Sequence, residues 1–519
     1  MLSDERRTNA SPDSIEGDLS ELLQSRRSLI EVANFLGDTG VDRSLLSGID
    51  VLDICSDSKS VSAGSLFVAM KGITRHGAEF AARAIENGAV AILTDREGES
   101  LLRTSGSFAR PILVVSKPEV DLGHLAHWFH GQPMRSMHAV GITGTNGKST
   151  TTTLLYQIWQ GAGFTSALMG TIATVMPGLQ IATERTTESA DQIARRCAQM
   201  ARLHVRSLAM EVSSHGLALH RLNGARFAAV GFTNLSQDHL DFHGDMESYF
   251  QAKAKLFTHE FSEKAFINID DPYGARLAES IQIERLSLST KDSRASWSVI
   301  DCEPILAGYR LRLRGPGGIL IESEIPLLGA HNVENYLMAV ALAVDSGVDP
   351  LVIQELSPHL SGAAGRMERI DLGQPFLAFV DYAHSPDAVE RVLHALGENV
   401  SGRVIAVLGC GGDRDRTKRP LMGQALSNGS DVAIFTSDNP RSEDPAAILS
   451  EMTSAVRVEE PSRIEIDRRE AIRYAISLAG EGDAVIILGK GHEKGQYFAD
   501  RQEEFDDRIE VARAIEDRR

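Results

Sequence analysis

Cysteine is scarce in this chain. Only Cys55, Cys197, Cys302 and Cys410 occur in 519 residues, and none are spaced as a CxxC pair or a metal finger. That excludes a disulfide scaffold and fits a reducing compartment, so a cytoplasmic location is expected. Long apolar runs are lacking too. The most apolar helical stretch, 327–345, is interrupted by His331, Asn332, Glu334 and Asn335, which excludes a membrane span there. Residues 1–27 are polar and charged, without the basic-then-apolar order of a leader, and their composition predicts a disordered extension. Positive charge is in deficit: 53 Lys and Arg against 71 Asp and Glu leave a net charge of −18. Such a surface repels nucleic acid and anionic membranes, so neither nucleic-acid binding nor membrane insertion is expected. Any local cluster of Lys and Arg then becomes a candidate anion site.

What is present is ordinary globular material, 42% hydrophobic and 24% charged. The length predicts about three domains. Residues 28–135 read as a small α/β domain, with strands SLFVAM (65–70), AVAILT (89–94) and PILVV (111–115), and a linker across 128–138. Residues 136–363 read as a second domain. It opens with the strand HAVGIT (138–143), a glycine loop and a helix, and continues with βα units at 207–212 and 228–235. Residues 364–519 read as a third, with strands at 376–383, 404–410, 432–438 and 484–490. Strands alternating with helices predict an α/β fold. The centre is a P-loop domain with a parallel sheet, the C-terminal part is Rossmann-like, and ligands belong at the carboxyl ends of the strands.

The chemistry-bearing segments fall at those ends. In GITGTNGKST, glycines let backbone N–H groups approach phosphate, Lys148 reaches the outer phosphates and Ser149 binds Mg²⁺. Ile142 stands where the strict Walker spacing has Gly, so the loop is a variant. In MEVSSHGLALHR, Glu211 is either a Mg²⁺ ligand at a strand tip or a polar cap. In TNLSQDHLDFHGD, His239 and His243 have the spacing of a zinc pair, but HExxH is missing and Gly244 breaks the helix. Mg²⁺-linked phosphate chemistry and a hydrated loop both remain open there. Lys253, on an amphipathic helix, reads as solvated surface. LGCGGDRDRTKRP lacks a dinucleotide fingerprint, and its Arg414, Arg416, Lys418 and Arg419 suggest anion binding. In SDNPRSEDP, Arg441 is suited to gripping a carboxylate with two parallel hydrogen bonds, or else caps a surface turn.

The order GTNGKST, EVSSHGL, NLSQDHLDFHGD, GAHNVENYLMAVA (329–341), GRME (365–368), DYAHSPD (381–387), GCGGDRD, DNPR and GKGHE resembles the Mur ligase family across nearly all of 50–515. The resemblance implies three domains that bind a UDP sugar, ATP and an incoming amino acid in turn. It implies a cytoplasmic, monomeric, ATP- and Mg²⁺-dependent ligase of peptidoglycan precursor synthesis. Its substrates would be UDP-MurNAc-L-Ala-D-Glu and meso-2,6-diaminopimelate, joined through an acyl phosphate.

Carried over position by position, the family's ATP loop falls on Gly144, Thr145, Asn146, Gly147, Lys148, Ser149 and Thr150. Asn332, Arg366, Asp381 and His384 match positions around the nucleotide, and Glu211 and His239 match magnesium positions. Lys253 matches the lysine that the family carries as an N6-carbamate (N6-carboxylysine), which turns it from surface into a catalytic residue beside Lys148, Glu211 and His239. Ser58, Thr186, Thr187, Ser213 and Arg221 match UDP-substrate contacts. Arg414, Asp438, Asn439, Pro440, Arg441, Gly489 and Glu493 match the diaminopimelate site. The chain departs from the family pattern at Arg185, at Leu219 and in the segment ITRHG after Gly72, all within the sugar-nucleotide contacts. A folylpolyglutamate synthase, a P-loop NTPase and a non-catalytic nucleotide-binding protein are the competing readings. DNPR with GKGHE speaks against the first, and the intact Lys148, Ser149 and Glu211 against the last.

Overall fold

The computed structural model describes residues 25–72, 74–104, 110–305 and 308–518. Of the extension expected over 1–27, residues 1–24 lie outside the described residues. Arg27–Ser28 form a short strand paired antiparallel with Asp50–Val51. The chain separates into two compact units. Of the described residues, the first comprises those within 25–148, 163–267 and 271–286, and the second those within 149–162, 268–270 and 287–518.

In the first unit, β1 (Asp53–Cys55), β2 (Ser65–Ala69), β3 (Ala91–Thr94) and β4 (Ile112–Val114) make a parallel sheet in that order. Both faces are covered, and side chains alternate between two cores. Leu66 and Val68 point into one core with Leu93 and Leu113, while Phe67 and Ala69 point into the other with Ile92.

A second sheet is built from β5 (His138–Thr143), β6 (Ser166–Met169), β7 (Ala173–Met176), β8 (Leu179–Ala182), β9 (Ser207–Glu211), β10 (Ala229–Phe232) and β11 (Lys264–Asn268). Its order is β8-β7-β6-β9-β5-β10-β11, parallel from β6 to β11 and antiparallel across β7 and β8. The phosphate-loop helix, α1 (Lys148–Gly161), follows β5 in the chain. Helix α2 (Ala190–Arg202) leads into β9, and α3 (Met246–Ala254) lies between β10 and β11 in sequence.

The second unit contains the antiparallel ribbon β12 (Trp297–Ile305), β13 (Gly308–Arg314) and β14 (Leu320–Ile325), with exposed and buried residues alternating along β13 and β14. Helix α4 (Ala330–Asp345) follows and is almost wholly buried beyond its first turn. The last sheet holds β15 (Leu377–Asp381), β16 (Val404–Cys410), β17 (Val432–Ser437) and β18 (Ala484–Leu488). They are ordered β15-β18-β16-β17 and are all parallel. Leu408, Phe435 and Ile486 serve one core, and Val407, Ile434 and Ile487 the other, so helices sandwich the sheet. The register Asp381↔Leu488, Leu408↔Leu488 and Cys410↔Ser437 brings the carboxyl ends together at one edge. Apart from GRME (365–368), every segment flagged in this region begins within a residue or two of such an end, which is where ligands of parallel sheets sit.

Candidate active site

Strand β5 stops at buried Thr143, and the loop Gly144–Gly147 turns into α1. A β-carbon at Gly144 (φ 152°) would lie 1.9 Å from Thr233 Oγ1, so only glycine lets the two strand ends approach this closely. The end of β10 fixes the loop. Thr145 N–H donates to Asn234 O (2.9 Å), Asn146 N–H to Asn234 Oδ1 (2.9 Å), and Thr233 Oγ1 to Asn146 O (2.6 Å). Lys148 curls back over the turn and donates to Gly144 O (3.0 Å) and Thr145 O (2.9 Å).

Lys253 is not at the surface that its local sequence suggests. It is 1% exposed, donates to Gly144 O at 2.8 Å, and its ammonium lies 4.7 Å from the Tyr249 ring centroid. Burial, reinforced by the Lys148 charge, holds its pKa well below the usual lysine value. The helical pattern misleads because Tyr249, Phe250, Ala252 and Lys253 are all buried together on α3.

Glu211 ends β9 opposite Ile142 of β5, and is 2% exposed. Its two oxygens accept from Thr171 N–H and Thr171 Oγ1, each at 2.9 Å. Thr171 Oγ1 also lies 3.1 Å from Thr186 Oγ1. Thr187 Oγ1 accepts from Ser213 N–H (3.0 Å), and Thr187 O accepts from Arg221 (2.8 Å). Thr186, Thr187, Ser213 and Arg221 are thus gathered around the tip that carries Glu211. Ser58 lies apart from this cluster at the end of the first sheet, where its carbonyl accepts from Asn87 (3.0 Å). Of the departures, Leu219 is 45% exposed, and burial, together with the charge of Arg185, lowers the pKa of Arg221. Residue 73 of ITRHG is outside the described residues.

His239 takes a left-handed backbone (φ 53°), and its ring centroid is 4.8 Å from that of His215. His243 Nε2 lies 3.0 Å from Ser214 Oγ, and only the single turn Leu240–His243 separates the two histidines. Among the described residues no group of three or more His, Cys, Asp and Glu is gathered to hold a metal.

In the second unit, Asn332 is 4% exposed. Its Nδ2 donates to Leu328 O (2.8 Å), and its Oδ1 accepts from Asn335, whose Oδ1 lies 3.4 Å from Thr151 Oγ1. Asp381 accepts from Met367 N–H and Ala383 N–H, each at 2.7 Å; burial raises its pKa while Arg366 opposes the rise. Arg366 and His384 both pack on Tyr382, at 4.7 Å in each case. Gly365 (φ 66°) lets this segment meet the loop after β18, since a β-carbon there would lie 2.2 Å from His492 N.

The loops after β17 and β18 interlock. Asn439 Nδ2 donates to Glu493 (2.8 Å), and the fully buried Lys490 ammonium binds Asn439 Oδ1 (2.9 Å), Glu493 (3.2 Å) and Gly495 O (2.7 Å). Gly489 N–H donates to Asp381 O (3.1 Å), and Pro440 O closes a turn with Glu443 N–H (3.1 Å). Arg441, in a left-handed conformation (φ 52°), donates to Gly412 O (2.6 Å). Gly411 lies beside it, and a β-carbon there would be 3.1 Å from Arg441 and 3.7 Å from Arg414. The anion-binding reading of the basic cluster narrows here. Buried Arg419 is spent on Glu443 (2.8 Å) and Glu451 (2.7 Å), and Arg416 on Glu443 (2.7 Å). Arg414 is left as the exposed arginine next to Arg441.

Residues 52–122 match the catalytic domain of the Mur ligase family, 142–343 the Mur ligase middle domain, and 365–491 the glutamate ligase domain of Mur ligases. The chain is 41% identical over 497 residues to the UDP-N-acetylmuramoyl-L-alanyl-D-glutamate–2,6-diaminopimelate ligase of Streptomyces coelicolor, covering 95% of this chain and 97% of that protein. The chain belongs to the Mur ligase family. The namesake ligase of Syntrophomonas wolfei is also 41% identical, over 90% of this chain and 95% of the other. A solved structure of a UDP-N-acetylmuramoyl-L-alanyl-D-glutamate–2,6-diaminopimelate ligase superposes with a TM-score of 0.66 at 35% identity, covering 90% and 95% of the two chains.

Sequence reasoning missed several groups in this Mur ligase. Thr233 and Asn234 hold the phosphate loop, Tyr249 lies beside Lys253, Tyr382 carries Arg366 and His384, and Lys490 sits between Asn439 and Glu493. All but Tyr249 lie inside segments quoted for their neighbours. Tyr249 alone had a usable signal, its i, i+4 spacing from Lys253 on one helix. Among the described residues, no helix is long and apolar enough to cross a membrane.

Proposed function

We propose that this Mur ligase joins an amine of meso-2,6-diaminopimelate to the D-glutamyl side-chain carboxylate of UDP-N-acetylmuramoyl-L-alanyl-D-glutamate at the expense of ATP, as a step of peptidoglycan precursor synthesis. The observation that carries the choice of amine is the interlocked pair of loops after β17 and β18. They would set Arg441 and Arg414 against a carboxylate and Glu493 against an ammonium.

The loop Gly144–Gly147 offers backbone N–H groups to the ATP phosphates, and Lys148 has only to release two carbonyls to reach the outer ones. Asn332, Arg366, Asp381 and His384 are assigned to the nucleotide. Ser58, Thr186, Thr187, Ser213 and Arg221 hold the UDP substrate so that its glutamyl carboxylate faces the γ-phosphorus. A carboxylate oxygen forms the new P–O bond while the bond to ADP breaks, giving an acyl phosphate. The free amine then forms the C–N bond, phosphate leaves with its electron pair, and the amine proton is lost to base.

Ser149, Glu211 and His239 would hold Mg²⁺. One buried carboxylate beside a phosphate loop, with no all-protein cage, fits an ion that completes its shell with phosphate and water. When bound it neutralises charge building on the phosphates. Lys253, buried and biased toward its neutral amine, is suited to becoming an N6-carbamate, which would place an anion where a cation is disfavoured.

The test is ADP release by the purified chain with UDP-dipeptide and ATP, comparing meso-diaminopimelate with L-lysine. Release that depends on meso-diaminopimelate and is weak with L-lysine supports the assignment. Release without any amine, or equal use of both amines, overturns it.

A further inference from the structure

Arg468 opens helix α5 (Arg468–Leu478), and Asp507 opens helix α6 (Asp507–Arg518). Both side chains are fully buried. The guanidinium grips both carboxylate oxygens, with Nε and Nη2 each at 2.7 Å. Its remaining donors reach two backbone carbonyls, Ser437 O at 3.2 Å and Leu488 O at 2.9 Å.

Those carbonyls belong to the last residues of β17 and β18. The two strands are not neighbours; β16 runs between them. One planar group therefore spans a strand and ties together the two ends from which Asp438–Arg441 and Gly489–Glu493 depart. A buried ion pair is a poor source of stability, because desolvation offsets its attraction and apolar side chains of the same volume serve as well. What apolar side chains cannot do is hold two carbonyls in the plane of one rigid fork.

We infer that the Arg468–Asp507 pair is a positioning device. It sets the separation between the carboxylate clamp around Arg441 and the ammonium acceptor Glu493, and so tunes selection of the amine. Arg468 touches neither substrate nor reacting atoms. The inference rests on the proposed amine site, and its test separates the two.

The experiment uses the full chain with ATP and UDP-dipeptide saturating and the amine varied, and follows ADP release and melting temperature. The Arg468→Met/Asp507→Leu double variant removes both charges at similar volume. It is expected to raise KM for meso-diaminopimelate about tenfold and to shrink the preference over L-lysine by a similar factor, the scale on which a displaced polar contact costs discrimination. KM for ATP and kcat at saturating amine should stay within about twofold of wild type. Arg468→Lys keeps the charge facing Asp507 but offers a single point instead of a fork, so it is expected to recover only part of the loss. It also decides the matter if the double variant fails to fold. A folded variant with wild-type KM and selectivity overturns the inference, as does a parallel rise in KM for ATP. Arg441→Ala is the control: if it leaves KM for meso-diaminopimelate unchanged, the amine-site assignment itself fails.

Discussion

The ammonium of Lys253 donates to the carbonyl oxygen of Gly144 at 2.8 Å, so helix α3 holds the phosphate loop from inside the protein. Burial, with the Lys148 charge close by, pushes the Lys253 pKa well below the usual lysine value. The ammonium first gives up a proton; the neutral amine then adds to carbon dioxide, the N–C bond forming as a second proton leaves, so that an anion stands where the cation was. Lys253→Ala is expected to lower kcat about 100-fold, the scale of losing one preorganised charged group. Short-chain carboxylates should restore part of the rate by occupying the vacated space, whereas Lys253→Arg, which cannot form the carbamate, should stay impaired. A fully active Lys253→Ala would refute the role.

Gly144 carries a second expectation. Its β-carbon would collide with Thr233 Oγ1 at 1.9 Å, and its backbone at φ 152° suits glycine alone. Gly144→Ala should strain the loop by about 1–3 kcal/mol and weaken ATP binding about tenfold or more. Amine binding in the second unit should hardly change. Calorimetric titration with a non-hydrolysable ATP analogue measures the first effect and titration with meso-diaminopimelate the second.

Much of this was legible from the chain alone, for identifiable reasons. Parallel strands buried on both faces give unbroken apolar runs such as VIAVLGC, and functional residues follow where each run stops. The glycine loop shows because close approach admits no side chain. What stayed hidden depends on three-dimensional neighbours. Lys253 looked solvent-facing because nothing in YFQAKAKLF shows that α3 is covered. Arg416 and Arg419 looked like anion ligands because Glu443 and Glu451 are distant in sequence. His239 takes a left-handed backbone conformation just before the single helical turn Leu240–His243, which no helical period describes.

Arg441→Ala should separate amine recognition from ATP binding. Its guanidinium, anchored by Gly412 O at 2.6 Å, has a fork suited to a carboxylate. Its removal leaves the distal carboxylate of meso-diaminopimelate without its cation, while Glu493 can still take an ammonium. KM for meso-diaminopimelate is therefore expected to rise about 100-fold or more, with KM for ATP nearly constant. L-lysine, which lacks that carboxylate, should be affected far less. Equal losses for the two amines, or for amine and ATP together, would sink the assignment.

Asp191 is the residue through which the first sheet meets the threonine cluster. It lies in the first turn of α2, shortly after Thr186 and Thr187, is 2% exposed, and accepts from Ser56 N–H and Ser56 Oγ, each at 2.9 Å. Ser56 shares the short loop CSDSKS with Ser58, so one carboxylate registers both groups of proposed UDP-substrate contacts against each other. Arg195, one turn further along α2, adds a second tie through Asp53 (2.5 Å). Asp191→Ala leaves the Ser56 donors unmet; because Ser56 is only part-buried, the cost falls at the low end, about 1–2 kcal/mol. Destabilisation alone would leave every KM unchanged in the folded fraction. Misregistration would instead raise KM for the UDP-dipeptide about tenfold while KM for ATP and for the amine hold steady. Steady-state kinetics below the melting transition distinguish the two, and an unchanged KM for the UDP-dipeptide would reduce Asp191 to a purely structural tie.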